Sequence, residues 1–253
     1  MAFEAIRLQS WYGTPQGDSV VRIIGAVMER WLSGRHVEST LGLGFTQPYL
    51  GLAQEWTDAL FGIAPAEMGV ARWPPGKGNR IALARPDALP FPDAEFDRVI
   101  MTHLLEGADS PHATLRETWR ILSPGGRLLV VVPNRRGFWA RHDGTPFGWG
   151  RPFSPRQLQE QLEEALFIPR QAGYALFLPP WLGKRGVGLA RSLEKIGNRW
   201  FPVVGGVIVC EAEKVVVAST PLRSYTEQLE RRGKLALPAV ESGRSMKNIG
   251  EDA

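Results

Sequence analysis

Hydrophobic positions along the chain follow two spacings, and segments of each kind alternate. Between residues 19 and 33, apolar side chains recur every three or four residues, as on one face of a helix. Residues 96–103 and 127–132 instead contain unbroken apolar runs, which are typical of strands buried on both faces. This alternation predicts parallel β-α-β units, with helices on both faces of one sheet. Strands are predicted at 36–43, 67–71, 80–84, 96–103, 127–132, 168–178 and 206–218, and helices at 19–33, 49–61, 111–122, 156–166 and 182–200.

Residues 133–153 interrupt this alternation. The segment is rich in glycine, aromatic residues and arginine, and it has no regular period. It could close over a substrate, pack on the sheet or anchor a partner protein, because tryptophan and arginine are enriched at interface hot spots. The candidate substrate or partner residues are Arg135, Arg136, Phe138, Trp139, Phe147 and Trp149.

We expect one domain over residues 1–219, which includes the helix at 19–33 and the loop at 133–153. Residues 220–253 are polar and predict a disordered carboxyl-terminal tail. Cys210 is the only cysteine, so an internal disulfide framework is excluded. The amino terminus lacks the features of a signal peptide, and no apolar run approaches the roughly 18 residues of a membrane span. These observations favour a cytoplasmic protein.

The net charge of +4 is unevenly distributed. Residues 1–126 carry 11 basic and 14 acidic side chains, whereas residues 127–200 carry 12 and 5. The basic middle third is either a solvated face or a surface that attracts an anionic partner. Within it, the helix predicted at 182–200 has an apolar ridge and a basic ridge. Such a helix most often packs on its own sheet, but it could contact a partner protein or an anionic membrane. The modest total charge and the lack of a known module disfavour nucleic acid as a partner.

Residues 89–134 contain a series of short motifs in a fixed order. The run Leu-Pro-Phe-Pro-Asp at 89–93 precedes a strong strand, and Leu-Leu-Glu at 104–106 follows that strand. The run Trp-Arg-Ile-Leu-Ser-Pro-Gly-Gly-Arg-Leu at 119–128 then predicts a helix, a tight turn and another strand. This series resembles the class I small-molecule methyltransferases that use S-adenosylmethionine, in particular the type 11 methyltransferase domain.

The resemblance implies a Rossmann-like, doubly wound α/β sheet of seven strands, flanked by helices, whose last strand is antiparallel. Residues 168–178 and 206–218 would supply the last two strands. In such sheets the ligand lies beyond the carboxyl ends of the strands, at the switch in strand order. The resemblance therefore implies a cofactor pocket at 41–46, 71–72, 85–88 and 103–107.

Few residues of the family's cofactor site are retained. Gly42 and Gly44 match the turn at which the backbone approaches the cofactor closely. Asp87 and Ala88 lie in the loop after the third predicted strand, where the adenine would bind. S-adenosylmethionine is the cofactor that the resemblance implies, and these four residues are the expected contacts if it binds.

The carboxylates that hold this cofactor in the family are mostly missing. The acid for the amino-acid head falls at Thr40, the acid for the ribose at Ala71, and the acid for the adenine at Arg85. A charge-assisted hydrogen bond contributes about 1.5–3 kcal/mol, so two lost pairs weaken binding by roughly a hundredfold or more. Phe45 could also fill space that the cofactor needs. The hypothesis is that cofactor binding is weak or lost, as in a pseudoenzyme.

His103 and Glu106 are the candidate catalytic residues, because they follow the strand at 96–103 and could exchange protons with a ligand. A histidine at this position could equally be a satisfied residue at the pocket lip. The remaining histidines and Cys210 show no metal-ligand spacing, so no metal is expected.

Two functions remain open. The first is a small-molecule methyltransferase with weak or lost cofactor binding. The second is a non-catalytic relative that serves as a binding or regulatory subunit of another protein, through the loop at 133–153 or the helix at 182–200.

Overall fold

The computed structural model describes residues 4–181, Glu194, Gly197 and 202–216. The helix predicted at 182–200, apart from Glu194 and Gly197, lies outside these residues, as does the tail predicted at 220–253. No helix among the described residues has the length and hydrophobicity needed to cross a membrane.

Seven strands form a single mixed sheet in the order β3-β2-β1-β4-β5-β7-β6. The first five strands pair in parallel, and β7 pairs antiparallel with both β5 and β6. The predicted doubly wound α/β class, with its antiparallel last strand, is therefore confirmed. The strands are β1 (Val37–Gly44), β2 (Thr57–Ala64), β3 (Ile81–Leu83), β4 (Phe96–Thr102), β5 (Leu122–Pro133), β6 (Phe167–Ala175) and β7 (Val207–Lys214).

Five α-helices accompany the sheet in the described residues, and local sequence explains where they begin. The helix predicted at 19–33 starts earlier, because the Thr14 side chain accepts a hydrogen bond from the Gly17 N–H and Pro15 occupies the first turn. Ser154 and Gln157 form a reciprocal capping box before the last helix. The helices are α1 (Ala5–Tyr12), α2 (Pro15–Leu32), α3 (Gln47–Ala53), α4 (Pro111–Ile121) and α5 (Pro155–Glu164).

Two predicted elements are wrong. The helix predicted at 49–61 ends at Ala53, and β2 begins at Thr57. The segment 67–71, predicted as the second strand, is loop and turn. The apolar run at 59–64 is too short for its period to separate helix from strand. Parallel pairing with β1 on one side and β3 on the other makes it a strand.

Hydrophobic cores cover both faces of the sheet. On one face, α1, α2 and α3 bury residues such as Leu8, Ile24 and Leu50. On the other face, α4 and α5 bury Leu115 and Leu158. These layers hold the strands rigidly, so the loops at their carboxyl ends have a fixed frame.

Candidate functional site

A cleft of about 850 Å³ opens at the carboxyl ends of the parallel strands. Its walls come from the loops that follow β2, β3 and β4, together with residues 149–151 of the long loop. This position agrees with the general rule for ligands of open α/β sheets. The predicted segments 85–88 and 103–107 contribute lining residues, whereas no lining residue of this cleft comes from 41–46 or 71–72.

The turn after β1 is closed by the protein's own side chains. Gly44 adopts a φ of 87°, and a Cβ there would collide with the Thr102 carbonyl, so glycine is required. The space beside Gly42 is filled by the Thr46 hydroxyl and the Leu50 side chain. Phe45 is only 2% exposed. The two glycines therefore serve close packing within the chain at this turn.

Aromatic residues from distant parts of the sequence meet above this turn. Tyr12, at the end of α1, stacks on Phe45 with ring centroids 5.7 Å apart. The ring of Tyr49 meets Tyr12 edge-on, and the two hydroxyl groups lie 3.4 Å apart. Burial raises the pKa of both tyrosines well above the ordinary value, so both hydroxyl groups keep their protons. The α1 helix was not predicted, because it spans only eight residues and precedes the stronger periodicity of α2.

His103 and Glu106 lie together at the floor of the cleft. His103 Nδ1 is 3.3 Å from Glu106 Oε1, and both side chains are almost fully buried. The Tyr12 hydroxyl lies 2.6 Å from His103 Nε2. His103 has a positive φ of 50°, an uncommon conformation for a non-glycine residue and one that is enriched at functional sites. The structure thus brings the two predicted catalytic residues together and adds Tyr12 to them.

The residue expected to contact the ribose of the cofactor does not lie where it was predicted. Since β2 ends at Ala64, Ala71 does not follow the strand, and its carbonyl instead accepts a hydrogen bond from Gln47. Glu67, in the loop after β2, lines the cleft. It was missed because the second strand was misplaced, and correct placement of β2 would have found it. Thr40, at the position of the first acid, is fully buried on β1.

The loop after β3 contains an ion pair. Two nitrogens of Arg85 lie 3.0 and 2.8 Å from the two carboxylate oxygens of Asp87, and this hydrogen bonding lowers the pKa of Asp87. Ala88 donates its backbone N–H to the Arg85 carbonyl. Asp87 lines the cleft with its carboxylate already engaged, and Ala88 is not among the lining residues.

The predicted loop residues divide into buried and accessible groups. Trp139 and Phe147 are 3% and 2% exposed, and the Trp139 indole donates to the Leu178 carbonyl. They belong to the core, so they cannot act as accessible anchors. Phe138 is 43% exposed and meets the exposed Trp181 edge-on.

The remaining loop residues lie near the cleft or on the surface. Trp149 lines the cleft, and the Arg7 guanidinium lies 4.6 Å from the centre of its ring. Arg135 donates to the Pro152 carbonyl, and Arg136 is exposed.

Within the described part of the chain, no group of three or more acidic, histidine or cysteine residues could hold a metal ion.

A family model described as a methyltransferase domain matches residues 40–130. This region of the chain is therefore similar to a methyltransferase domain. The match covers β1 to β5, which includes the turn after β1 and both His103 and Glu106, but it does not include α1.

Curated relatives match over stretches of very different length. The ubiquinone/menaquinone biosynthesis C-methyltransferase of Pasteurella multocida is 48% identical over 48 residues, which are 19% of this chain and 18% of that protein. An uncharacterised protein of Mycobacterium bovis is 25% identical over 200 residues, 75% of this chain and 67% of that protein. The chain spans less than a third of the length of the first curated relatives it matches.

Solved structures share the fold at low identity. A methyltransferase from Thermotoga maritima superposes with a TM-score of 0.54 at 18% identity, over 83% of this chain and 95% of that one. A methyltransferase from Haloferax volcanii, solved in complex with the Trm112 activator, gives a TM-score of 0.54 at 17% identity, over 83% and 98%. These likenesses establish the methyltransferase fold.

Proposed function

We propose that this chain is a methyltransferase-fold protein that receives a small molecule in the carboxyl-end cleft and binds S-adenosylmethionine weakly or not at all. The observation that carries the proposal is the closed turn after β1. Phe45 is buried there beneath Tyr12, at the place where the fold's cofactor would meet the glycine turn. A cofactor in the usual pose would have to displace two packed aromatic rings, so the residues present do not fit it.

The polar groups around the turn support the same conclusion. Thr40 is neutral, the end of β2 offers Ala64, and Arg85 follows β3 where an acid would receive the adenine. Asp87 is already held by Arg85. Each missing charge-assisted pair removes about 1.5–3 kcal/mol, so the loss of two weakens binding by roughly a hundredfold or more.

The position of Glu67 is the strongest argument against the proposed loss of cofactor binding. It is an exposed carboxylate at the cleft wall, in the loop that follows β2. A ribose could bind there without using the turn after β1. An experiment on the proposed loss of cofactor binding must therefore distinguish the contribution of Glu67 from that of the other cleft residues.

Isothermal titration of the purified chain with S-adenosylmethionine and with S-adenosylhomocysteine tests the proposal. We expect no heat of binding in the micromolar range for either compound. A micromolar Kd for either compound would contradict the proposal. Glu67→Gln, with Asp109→Asn as the matched control at the same cleft, then shows whether Glu67 supplies that affinity.

Exposed aromatic residues favour a second candidate function, a binding subunit of another protein. Phe138 and Trp181 are 43% and 62% exposed, and their rings lie 5.3 Å apart. Exposed aromatic pairs of this kind are common at interfaces. The partner would co-purify in fixed stoichiometry with the chain and be lost on Phe138→Ser or Trp181→Ser. Retention by both variants would exclude this surface.

A further inference from the structure

The Glu106 carboxylate is buried at the floor of the cleft, beside His103. Its residue exposure is 2%, it lines the cleft, and neither oxygen has a hydrogen-bond partner among the described residues. His103 Nδ1 lies 3.3 Å from one of these oxygens, within ion-pair distance. A carboxylate that has left water without donors is costly, so a ligand that brings a donor or a positive charge would relieve this cost.

Gly150 holds the long loop close to this carboxylate. A Cβ at residue 150 would approach the Glu106 carbonyl and its Cγ to within 3 Å. The Arg151 N–H donates to the same carbonyl at 2.7 Å. The backbone of Glu106 is thus fixed between β4 and the long loop, and the position of its carboxylate is defined by packing.

Tyr12 and His103 orient this arrangement from the other side. The Tyr12 hydroxyl lies within hydrogen-bond distance of His103 Nε2, at 2.6 Å. A neutral imidazole that accepts this hydrogen bond at Nε2 carries its proton on Nδ1, the nitrogen that lies 3.3 Å from Glu106. Glu106 therefore lies against His103 on one side and belongs to the lining of the cleft on the other.

The cleft as a whole is acidic and has an aromatic wall. Its lining residues include four carboxylates but only two guanidinium groups, and one of those, Arg85, is paired with Asp87. Trp149 forms part of the wall and already stacks with the Arg7 guanidinium on one side. Carboxylates combined with an indole ring suit an organic cation with an apolar body.

We propose that the cleft binds a small organic cation, a protonated amine with an apolar body, whose ammonium group binds to the Glu106 carboxylate. Tyr12 and His103 are positioning residues in this site. The proposal deepens the proposed function, because it names the ligand class of the same cleft. It does not depend on whether S-adenosylmethionine binds, so the two proposals fail separately.

A series of charged and neutral analogues tests the proposal. The wild-type chain is titrated with ethylamine, 2-phenylethylamine and tryptamine, and with 2-phenylethanol as the neutral counterpart of the second. We expect at least one aromatic amine to bind and the alcohol to bind at least about tenfold more weakly, as for loss of one charge-assisted hydrogen bond. Equal binding of the amine and the alcohol, or binding of no amine at millimolar concentration, would overturn the proposal.

Two variants test which carboxylate binds the ammonium group of the ligand. Glu106→Gln keeps the shape of the side chain, and we expect it to weaken the binding amine by about tenfold or more. Glu55→Gln removes an exposed carboxylate outside the cleft and should leave the affinity almost unchanged. Unchanged affinity in Glu106→Gln, or an equal loss in both variants, would contradict the assignment.

Nitrogen-15 NMR of His103 tests the positioning residues without a ligand. In the wild type we expect the Nδ1–H tautomer, and in Tyr12→Phe a mixture of the two tautomers with several-fold weaker amine binding. Tyr49→Phe, which removes the neighbouring buried hydroxyl, should keep the wild-type tautomer. An unchanged tautomer and unchanged affinity in Tyr12→Phe would remove Tyr12 from the site. S-adenosylmethionine titrations of the same samples report separately on the proposed function.

Discussion

Phe45 and Tyr12 stack face to face, with ring centroids 5.7 Å apart and ring planes 19° from parallel. Phe45 belongs to the turn after β1, inside the methyltransferase match, whereas Tyr12 ends a helix that precedes it. A segment outside the family match thus packs over the turn that follows β1. The hydroxyl of the same tyrosine lies 2.6 Å from His103 Nε2, so one residue joins the closed turn to the floor of the open cleft.

Removal of the Phe45 ring should reopen the turn. We expect Phe45→Ala to bind S-adenosylmethionine about tenfold more tightly than the wild type, because it removes a steric block but restores no carboxylate. The cavity should also lower the free energy of unfolding by about 3–5 kcal/mol. Isothermal titration and urea unfolding measure the two effects.

Phe96→Ala is the matched control for this prediction. Phe96 is 3% exposed at the start of β4, at the opposite end of the strand from the cleft. It should destabilise the chain similarly and leave the cofactor affinity unchanged. If Phe45→Ala shows no gain over Phe96→Ala, the packed ring is not what limits binding.

Neighbouring residues of the long loop should respond very differently to truncation. Trp139 is buried and donates its indole N–H to the Leu178 carbonyl, and its ring leaves no room for a side chain at Gly206. We expect Trp139→Ala to lower the free energy of unfolding by about 3–5 kcal/mol. Phe138→Ala alters an exposed ring and should cost less than about 1 kcal/mol. Similar losses in thermal or urea unfolding would show that Trp139 does not anchor the loop.

Residue patterns predicted the sheet far better than the site. Strands such as β4 and β5 have unbroken apolar runs, and their order follows from right-handed crossovers between parallel strands. The prediction of β2 was wrong, because its apolar run is short and a nearby proline suggested a longer helix. Because of this error, Ala71 was predicted to contact the ribose. Glu67, which lies in the loop that follows the true end of β2, was missed.

The features of the site that local sequence patterns did not predict depend on long-range contacts. The Tyr12–His103 pair spans 91 residues, and no local pattern encodes such a distance. Trp139 and Phe138 are adjacent aromatic residues with opposite burial, a difference that depends on the packing of β7 and its preceding turn. Local sequence therefore predicted which residues form the loop but not which of them face outward.

Lys214 should contribute to stability through the end of α4. Its ammonium group donates to the Leu122 carbonyl at 2.6 Å and lies 4.1 Å from the centre of the Trp119 ring. Burial lowers the pKa of this amine, which also donates to the Arg120 carbonyl at 3.4 Å. We expect Lys214→Met to lower the free energy of unfolding by about 1–3 kcal/mol, because a buried carbonyl loses its donor.

Lys77→Met is the control for Lys214. Lys77 is an exposed lysine in the turn before β3, so its substitution should change the free energy of unfolding by less than about 0.5 kcal/mol. Chemical unfolding of both variants under the same conditions makes the comparison. Equal small effects would mean that the Lys214 contacts add nothing to stability.

Glu194 should make the stability of the chain depend on pH. Its carboxylate accepts hydrogen bonds from the backbone N–H groups of Leu176 and Phe177 at 3.2 and 2.7 Å, but burial raises its pKa from 4.5 to about 7. Between these two values the folded chain holds a proton that the unfolded chain has released. Stability from this group is therefore present below about pH 4.5 and decreases as the pH rises to about 7, by up to about 3 kcal/mol. Glu194→Gln cannot titrate, so its free energy of unfolding, measured from about pH 5 to about pH 8, should lack this decrease. Parallel pH profiles for the variant and the wild type would show that the Glu194 carboxyl has the same proton affinity in the folded and unfolded chains.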